Sequence, residues 1–94
     1  MEPLDLSTVD AAIAQGSGWE RQGHELVKTW SGKDFAEALS YVNAVGATAE
    51  RMGHHPDIEV HWNKVTLRLY THSVGALTEA DLDLAAEIDK LGKN

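Results

Sequence analysis

Ile58, Val60 and Trp62 alternate with Glu59 and His61, and Val65, Leu67 and Leu69 alternate with Thr66, Arg68 and Tyr70. Alternation with a period of two marks a strand with one apolar face and one polar face. The runs are separated by two residues, Asn63 and Lys64, and asparagine tolerates the positive φ that short hairpin turns require. The stretch therefore reads as a β-hairpin with Asn63 and Lys64 at its turn. A hairpin is marginal alone and must bury its apolar face under another layer. That requirement limits what the rest of the chain can become.

The remaining elements supply that layer. Ser7 and Asp10 have the spacing of a capping box, and Val9, Ala12 and Ile13 follow at helical spacing, so a short helix is expected over about 7–15, stopped by Gly16 and Gly18. An extended run begins at Trp19, is interrupted at Gly23, and resumes where Leu26, Lys28 and Trp30 alternate with Val27 and Thr29, which gives two strands. The strongest helix follows. Phe35, Ala38, Leu39, Val42, Val45, Ala49 and Met52 form one stripe, read as core, with Ser31 and Asp34 as a capping box and Gly53 as the stop. Thr78 and Asp81 open a last helix carrying Leu82, Ala85, Ala86 and Ile88, closed by Gly92. The order α-β-β-α-β-β-α predicts an α+β domain, a four-stranded antiparallel sheet with helices packed on one face.

Ninety-four residues with 43% hydrophobic content make a single domain, 1–94. A chain this short buries only about 60–65% of its unfolded surface, so association is a natural source of extra stability. There is no cysteine, which excludes disulfides, thiolate nucleophiles and cysteine-based zinc sites. The net charge of −7, with eight scattered Lys and Arg, argues against direct nucleic-acid binding. No apolar run approaches the ~20 residues of a membrane span. The opening "MEPLDLSTVD" carries Glu2 and Asp5 and no basic stretch, so a secretory signal is not expected and the cytoplasm is the default compartment.

The hairpin and the long helix together place three of the five histidines. With the turn at Asn63–Lys64, Trp62 faces Val65, Val60 faces Leu67 and Ile58 faces Leu69. Extended outward, this register sets His55 opposite His72, with Cβ atoms ~5 Å apart. Glu50 and His54, four residues apart, share a helix face. Glu50, His54, His55 and His72 are thus expected to converge. Each also has an ordinary reading: His54 as a favourable charge at a helix C-terminus, His55 as a turn residue, His72 as an exposed residue after a strand, Asp81 as a capping acid and Trp62 as core.

Three chemistries are open to such a cluster. A metal site would use Glu50, His54, His55 and His72, but no known zinc spacing is present and adjacent histidines diverge on a regular backbone. Nucleophilic catalysis lacks both a cysteine and a Gly-x-Ser-x-Gly elbow. General acid–base catalysis fits best. Histidine titrates near neutrality, and a coupled group can hold one imidazole protonated and another neutral. Such a pair suits a dehydration or an isomerisation.

The pattern Glu-x3-His-His-Pro-x5-aromatic-x9-His-x8-Asp, carried by Glu50, His54, His55, Pro56, Trp62, His72 and Asp81, resembles the signature of the pterin-4a-carbinolamine dehydratase family, also known as the dimerisation cofactor of a homeodomain transcription factor. "NKV" after Trp62, Thr71–His72, "LTEADLDLA" and Gly18–Trp19 are similar to that family too, so the resemblance spans roughly residues 4–92. It implies a lyase without cofactor that dehydrates 4a-hydroxytetrahydrobiopterin to the quinonoid dihydropterin in tetrahydrobiopterin recycling. It further implies His54, His55 and His72 as the acid–base group, with Glu50, Pro56, Thr71, Asp81 and Trp19 as pocket positions. It also implies homodimers or homotetramers built through edge strands and helices. A second role in the family, stabilising a transcription factor's dimerisation helix, implies a protein partner as the alternative function. Two positions depart from the family's habit: Gly53, often an acid or Asn, and Tyr70, often Ser.

Overall fold

The computed structural model describes residues 1–13 and 17–91. The elements are α1 (Leu6–Ile13), β1 (Glu20–Gln22), β2 (Glu25–Ser31), α2 (Phe35–Met52), β3 (Asp57–His61), β4 (Lys64–Leu69) and α3 (Glu79–Ile88). The four strands form one antiparallel sheet in the order β1-β2-β4-β3, the expected α+β arrangement. Gly16 and Gly92, expected as helix stops, lie outside the described residues. Helix α3 ends at Ile88, with Asp89 as its cap. Among the described residues no helix is long and apolar enough to cross a membrane.

The two faces of the sheet follow the alternation. Leu26, Trp30, Val65, Leu67 and Leu69 are buried on one face, and Ile58 and Val60 are partly buried beside them. Residues on the other face bond along the surface: the Thr29 and Thr66 hydroxyls lie 2.9 Å apart, and Arg68 bridges Glu25 and Glu59. Ala38, Tyr41 and Val45 of α2, with Leu84, Ala85 and Ile88 of α3, complete the core.

The hairpin turn is not where the alternation placed it. Trp62 and Asn63 form the turn, so His61 pairs with Lys64, Val60 with Val65 and Ile58 with Leu67. Asn63 is held there by Gly32: its Nδ2 donates to the Gly32 carbonyl at 2.7 Å, and its own carbonyl accepts from the Gly32 N–H at 2.8 Å. Trp62 takes φ 54, a left-handed conformation that bulky residues rarely adopt. Moving the turn by one residue shifts each partner by two. A shift of two preserves which face a side chain occupies, so the faces were read correctly and the partners were not. The ladder stops at Asp57–Arg68 and does not pair His55 with His72. Trp62, read as core, is 66% exposed at the turn.

The caps show a similar pattern of near agreement. Asp34 caps α2 and accepts from the Glu37 N–H, while Glu37 accepts from the Lys33 N–H, so the acid pair sits three residues beyond the expected Ser31–Asp34. Ser31 is instead the last residue of β2. At α1, Asp5 takes the Ser7 hydroxyl and Asp10 pairs with Arg21, replacing the expected Ser7–Asp10 box. The stripe of α2 is rotated relative to the expectation. Tyr41 stacks on Trp30 with ring centroids 4.1 Å apart and is buried, whereas Phe35 and Leu39 are 47% and 43% exposed. On α3 the buried positions are Asp81, Leu84, Ala85 and Ile88, and Ala86 faces outward.

Candidate functional site

Helix α2 ends at Gly53, which adopts φ 68 and returns its N–H to the carbonyls of Ala49 and Glu50. That left-handed residue ends the helix at a low steric cost and turns the chain sharply. His54 and His55 follow and leave in different directions. The His54 Nε2 lies 2.6 Å from Oδ1 of Asp81. The His55 Nε2 lies 2.5 Å from Oε2 of Glu50. Sequence spacing had paired Glu50 with His54; the reversal at Gly53 gives that glutamate to His55 instead.

Asp81 is the centre of the arrangement. It is the third residue of α3 and completely buried. Its Oδ2 accepts from the Thr78 N–H at 2.9 Å, which closes the expected capping box, and from the Thr71 hydroxyl at 2.7 Å. Thr71 spends its one hydroxyl proton on Asp81, and the Thr78 hydroxyl lies 2.9 Å from that of Thr71 and 3.0 Å from the Met1 sulfur. A carboxylate fully removed from water is costly unless its lone pairs are filled. Here three donors fill them. Because an ionised carboxylate only accepts, His54 carries a proton on Nε2. The ring is held in one tautomer and one orientation by a group that solvent does not reach.

His72 follows directly on a residue of the same network. Thr71, its neighbour, is buried and anchored to Asp81, and the backbone from Thr71 to Ala76 folds into a turn closed by a bridge between those two residues. One carboxylate therefore ties the end of α2, through His54, to the residue before His72. The expected pairing of His55 with His72 does not form; instead the hydrogen bonds of Asp81 tie His54 to Thr71, the residue before His72. His55, Glu50 and Pro56 line an adjoining groove of about 450 Å3 with Val42 and Gly46 of α2 and Ile58 of β3.

Trp19 lies elsewhere. It is buried, and its indole N–H donates at 2.8 Å to Asp89, which also takes the Lys28 ammonium at 2.8 Å. Asp89 is at the opposite end of α3 from Asp81, ~12 Å along the axis at ~1.5 Å per residue. The described contacts do not bring Trp19 to the histidines. Conversely, Thr78, whose spacing signals only a cap, belongs to the buried network. Its threonine hydroxyl and the capping carboxylate already signalled a polar pair at a helix start, but nothing in the spacing showed that Thr71 would complete it. Among the described residues no three His, Asp or Glu side chains assemble into a set of metal ligands.

Residues 2–91 match the protein family described as Pterin 4 alpha carbinolamine dehydratase. The chain belongs to that family. A relative from Roseiflexus castenholzii is 44% identical over 94% of this chain and 95% of its own length, and one from Trichormus variabilis is 48% identical with the same coverage. Both carry provisional names as pterin-4-alpha-carbinolamine dehydratases. The crystal structure of a transcriptional coactivator/pterin dehydratase from Brucella melitensis superposes with a TM-score of 0.87 at 26% identity, covering 95% of this chain and 97% of that one. A pterin dehydratase-like protein described as a RuBisCO assembly factor in the alpha-carboxysome superposes with a TM-score of 0.70 at 28% identity, covering 82% of this chain and 92% of that one.

Proposed function

We propose that this dehydratase-family protein removes water from 4a-hydroxytetrahydrobiopterin to form the quinonoid dihydropterin, by general acid–base catalysis and without a cofactor, in recycling of the tetrahydropterin. The carrying observation is the buried Asp81 carboxylate, which fixes His54 and anchors the turn bearing His72. In the reaction the C4a–O bond breaks, and the oxygen leaves as water after taking a proton from an imidazolium. The N5–H proton passes to a neutral imidazole, and the N5 electron pair forms the C4a=N5 double bond. His54, His55 and His72 supply the two proton-transfer groups. Asp81 holds its histidine in place as an orienting acceptor, the role a buried carboxylate plays beside catalytic imidazoles elsewhere. Glu50, Pro56 and Thr71 are proposed as substrate-pocket positions; for Trp19 the family resemblance alone supports such a role, since its contacts are with Asp89 and Lys28.

The protein is further proposed to act in the cytoplasm as a homodimer or homotetramer. Its unpaired β3 edge and the exposed Phe35 and Leu39 of α2 support association. The experiment is dehydration of synthetic 4a-hydroxytetrahydropterin, followed as formation of the quinonoid product above the protein-free rate. Turnover supports the reading; a rate equal to the protein-free control overturns it. The second reading, a protein-interaction module without catalysis, is favoured by the fold shared with the RuBisCO assembly factor. The same control-level rate, with stable capture of a defined protein partner, would establish it instead.

A further inference from the structure

We infer that Tyr70 is a positioning residue for His72, its ring holding the imidazole in the orientation that the proposed dehydration uses. The inference rests on the dehydratase reading for its catalytic half and on geometry alone for its structural half.

The three site histidines are held unequally. His54 is bonded to Asp81 and His55 to Glu50. His72 has no hydrogen bond or ion pair to another side chain among the described residues. Its backbone is well placed: the Thr71 N–H donates to Ala76 at 3.2 Å, and the Thr71 carbonyl accepts from Val74 and Gly75 at 3.1 and 2.9 Å. These bonds fix where the side chain begins and leave its two torsions open. The ring has one aromatic neighbour, Tyr70, with centroids 4.9 Å apart and planes 80° apart. This edge-to-face arrangement is the favoured one for aromatic pairs.

Tyr70 and His72 are two residues apart where the chain leaves β4, a spacing that keeps side chains on one side of an extended backbone. Tyr70 is itself partly buried, and its hydroxyl reaches over the turn that carries His72. A Cβ placed on Gly75, which has φ 75, would lie 3.7 Å from that hydroxyl. The phenol thus runs from the strand end to the far side of the turn, alongside the imidazole. Restricting His72 before substrate arrives favours the geometry needed for proton transfer, and misplacement by even an ångström is costly in rate.

The test compares wild type with Tyr70→Phe and Tyr70→Leu, using proton–carbon NMR spectra of the histidine rings together with kcat and KM for 4a-hydroxytetrahydropterin. Phenylalanine keeps the ring, so Tyr70→Phe retains the His72 ring signals and a kcat within about 2-fold of wild type. Leucine keeps apolar bulk without the ring, so Tyr70→Leu moves the His72 signals, leaves those of His54 and His55, and lowers kcat about 10-fold at similar KM. If Tyr70→Leu does not fold, Tyr70→Met takes its place with the same expectations. His72 signals unchanged by loss of the ring overturn the inference, as do shifted signals with wild-type kcat and KM. A wild type without turnover removes the functional reading and the catalytic half with it, while the spectra still decide whether Tyr70 holds the imidazole.

Discussion

At the residue scale, Asp81 closes the N-terminus of α3 with one oxygen and holds His54 with the other. Replacing it by alanine leaves three buried donors without their acceptor, so Asp81→Ala should lose about 2–4 kcal/mol in urea unfolding. Asp81→Asn keeps the size but can present its amide to His54 and release the tautomer; it should retain most of the stability and lower kcat at least ~10-fold. A variant with normal kcat would mean that His54 needs no orienting carboxylate. Tyr41 gives a second test. Burial and the charge of Asp89 push its phenol up to about 12 from an ordinary 10.0. A raised pKa means that the native state keeps the proton, so this contribution is intact below pH 10 and is lost as pH rises from about 10 to about 12. Tyr41→Phe should therefore flatten the decline in unfolding free energy across that window. Asp81 was legible in the sequence as a capping acid, because capping is local. That it also orients His54, 27 positions away, depends on how α3 packs against the end of α2, and spacing along the chain does not encode that packing.

At the element scale, the hairpin shows how much a period-two pattern carries. It set the faces of β3 and β4 and left the register open, because two registers differing by two residues bury the same side chains. The choice between them was made by Asn63 clamping Gly32 and by Trp62 accepting a positive φ. The clamp joins residues 31 positions apart, which the local pattern does not encode. An exposed tryptophan in a left-handed turn position stores strain of ~1 kcal/mol or more. Trp62→Asn, with a side chain that tolerates this region, should raise the melting temperature and leave the register intact; a lower melting temperature would mean that the indole contributes packing at the turn. Helix α2 teaches a related lesson. Its stripe contains more apolar positions than one face can bury, and the stacking of Tyr41 on Trp30 decides which turn inward. Phe35 and Leu39 stay outside as a result.

For the whole molecule, the element order and the single-face sheet were legible because each element announces its own period, even where its cap was misplaced. The contacts of the proposed site residues were not legible: Glu50 serves His55, Asp81 serves His54, and Trp19 belongs to the far end of α3. The exposed Phe35 and Leu39 of α2, together with the open β3 edge, predict self-association. Sedimentation should give a species heavier than the 10.3 kDa chain, and Leu39→Glu should shift it toward the monomer. A wild type that sediments as a monomer would show that this face is not an interface. The central claim is that His54, held by Asp81, and the neighbouring site histidines His55 and His72 move the protons of a dehydration. It is tested most directly by measuring quinonoid dihydropterin formation from 4a-hydroxytetrahydropterin with wild type and with His54→Ala/His72→Ala, each confirmed as folded. The account predicts turnover by wild type and a rate for the double variant within ~10-fold of the protein-free reaction. Wild-type turnover by the double variant would contradict it.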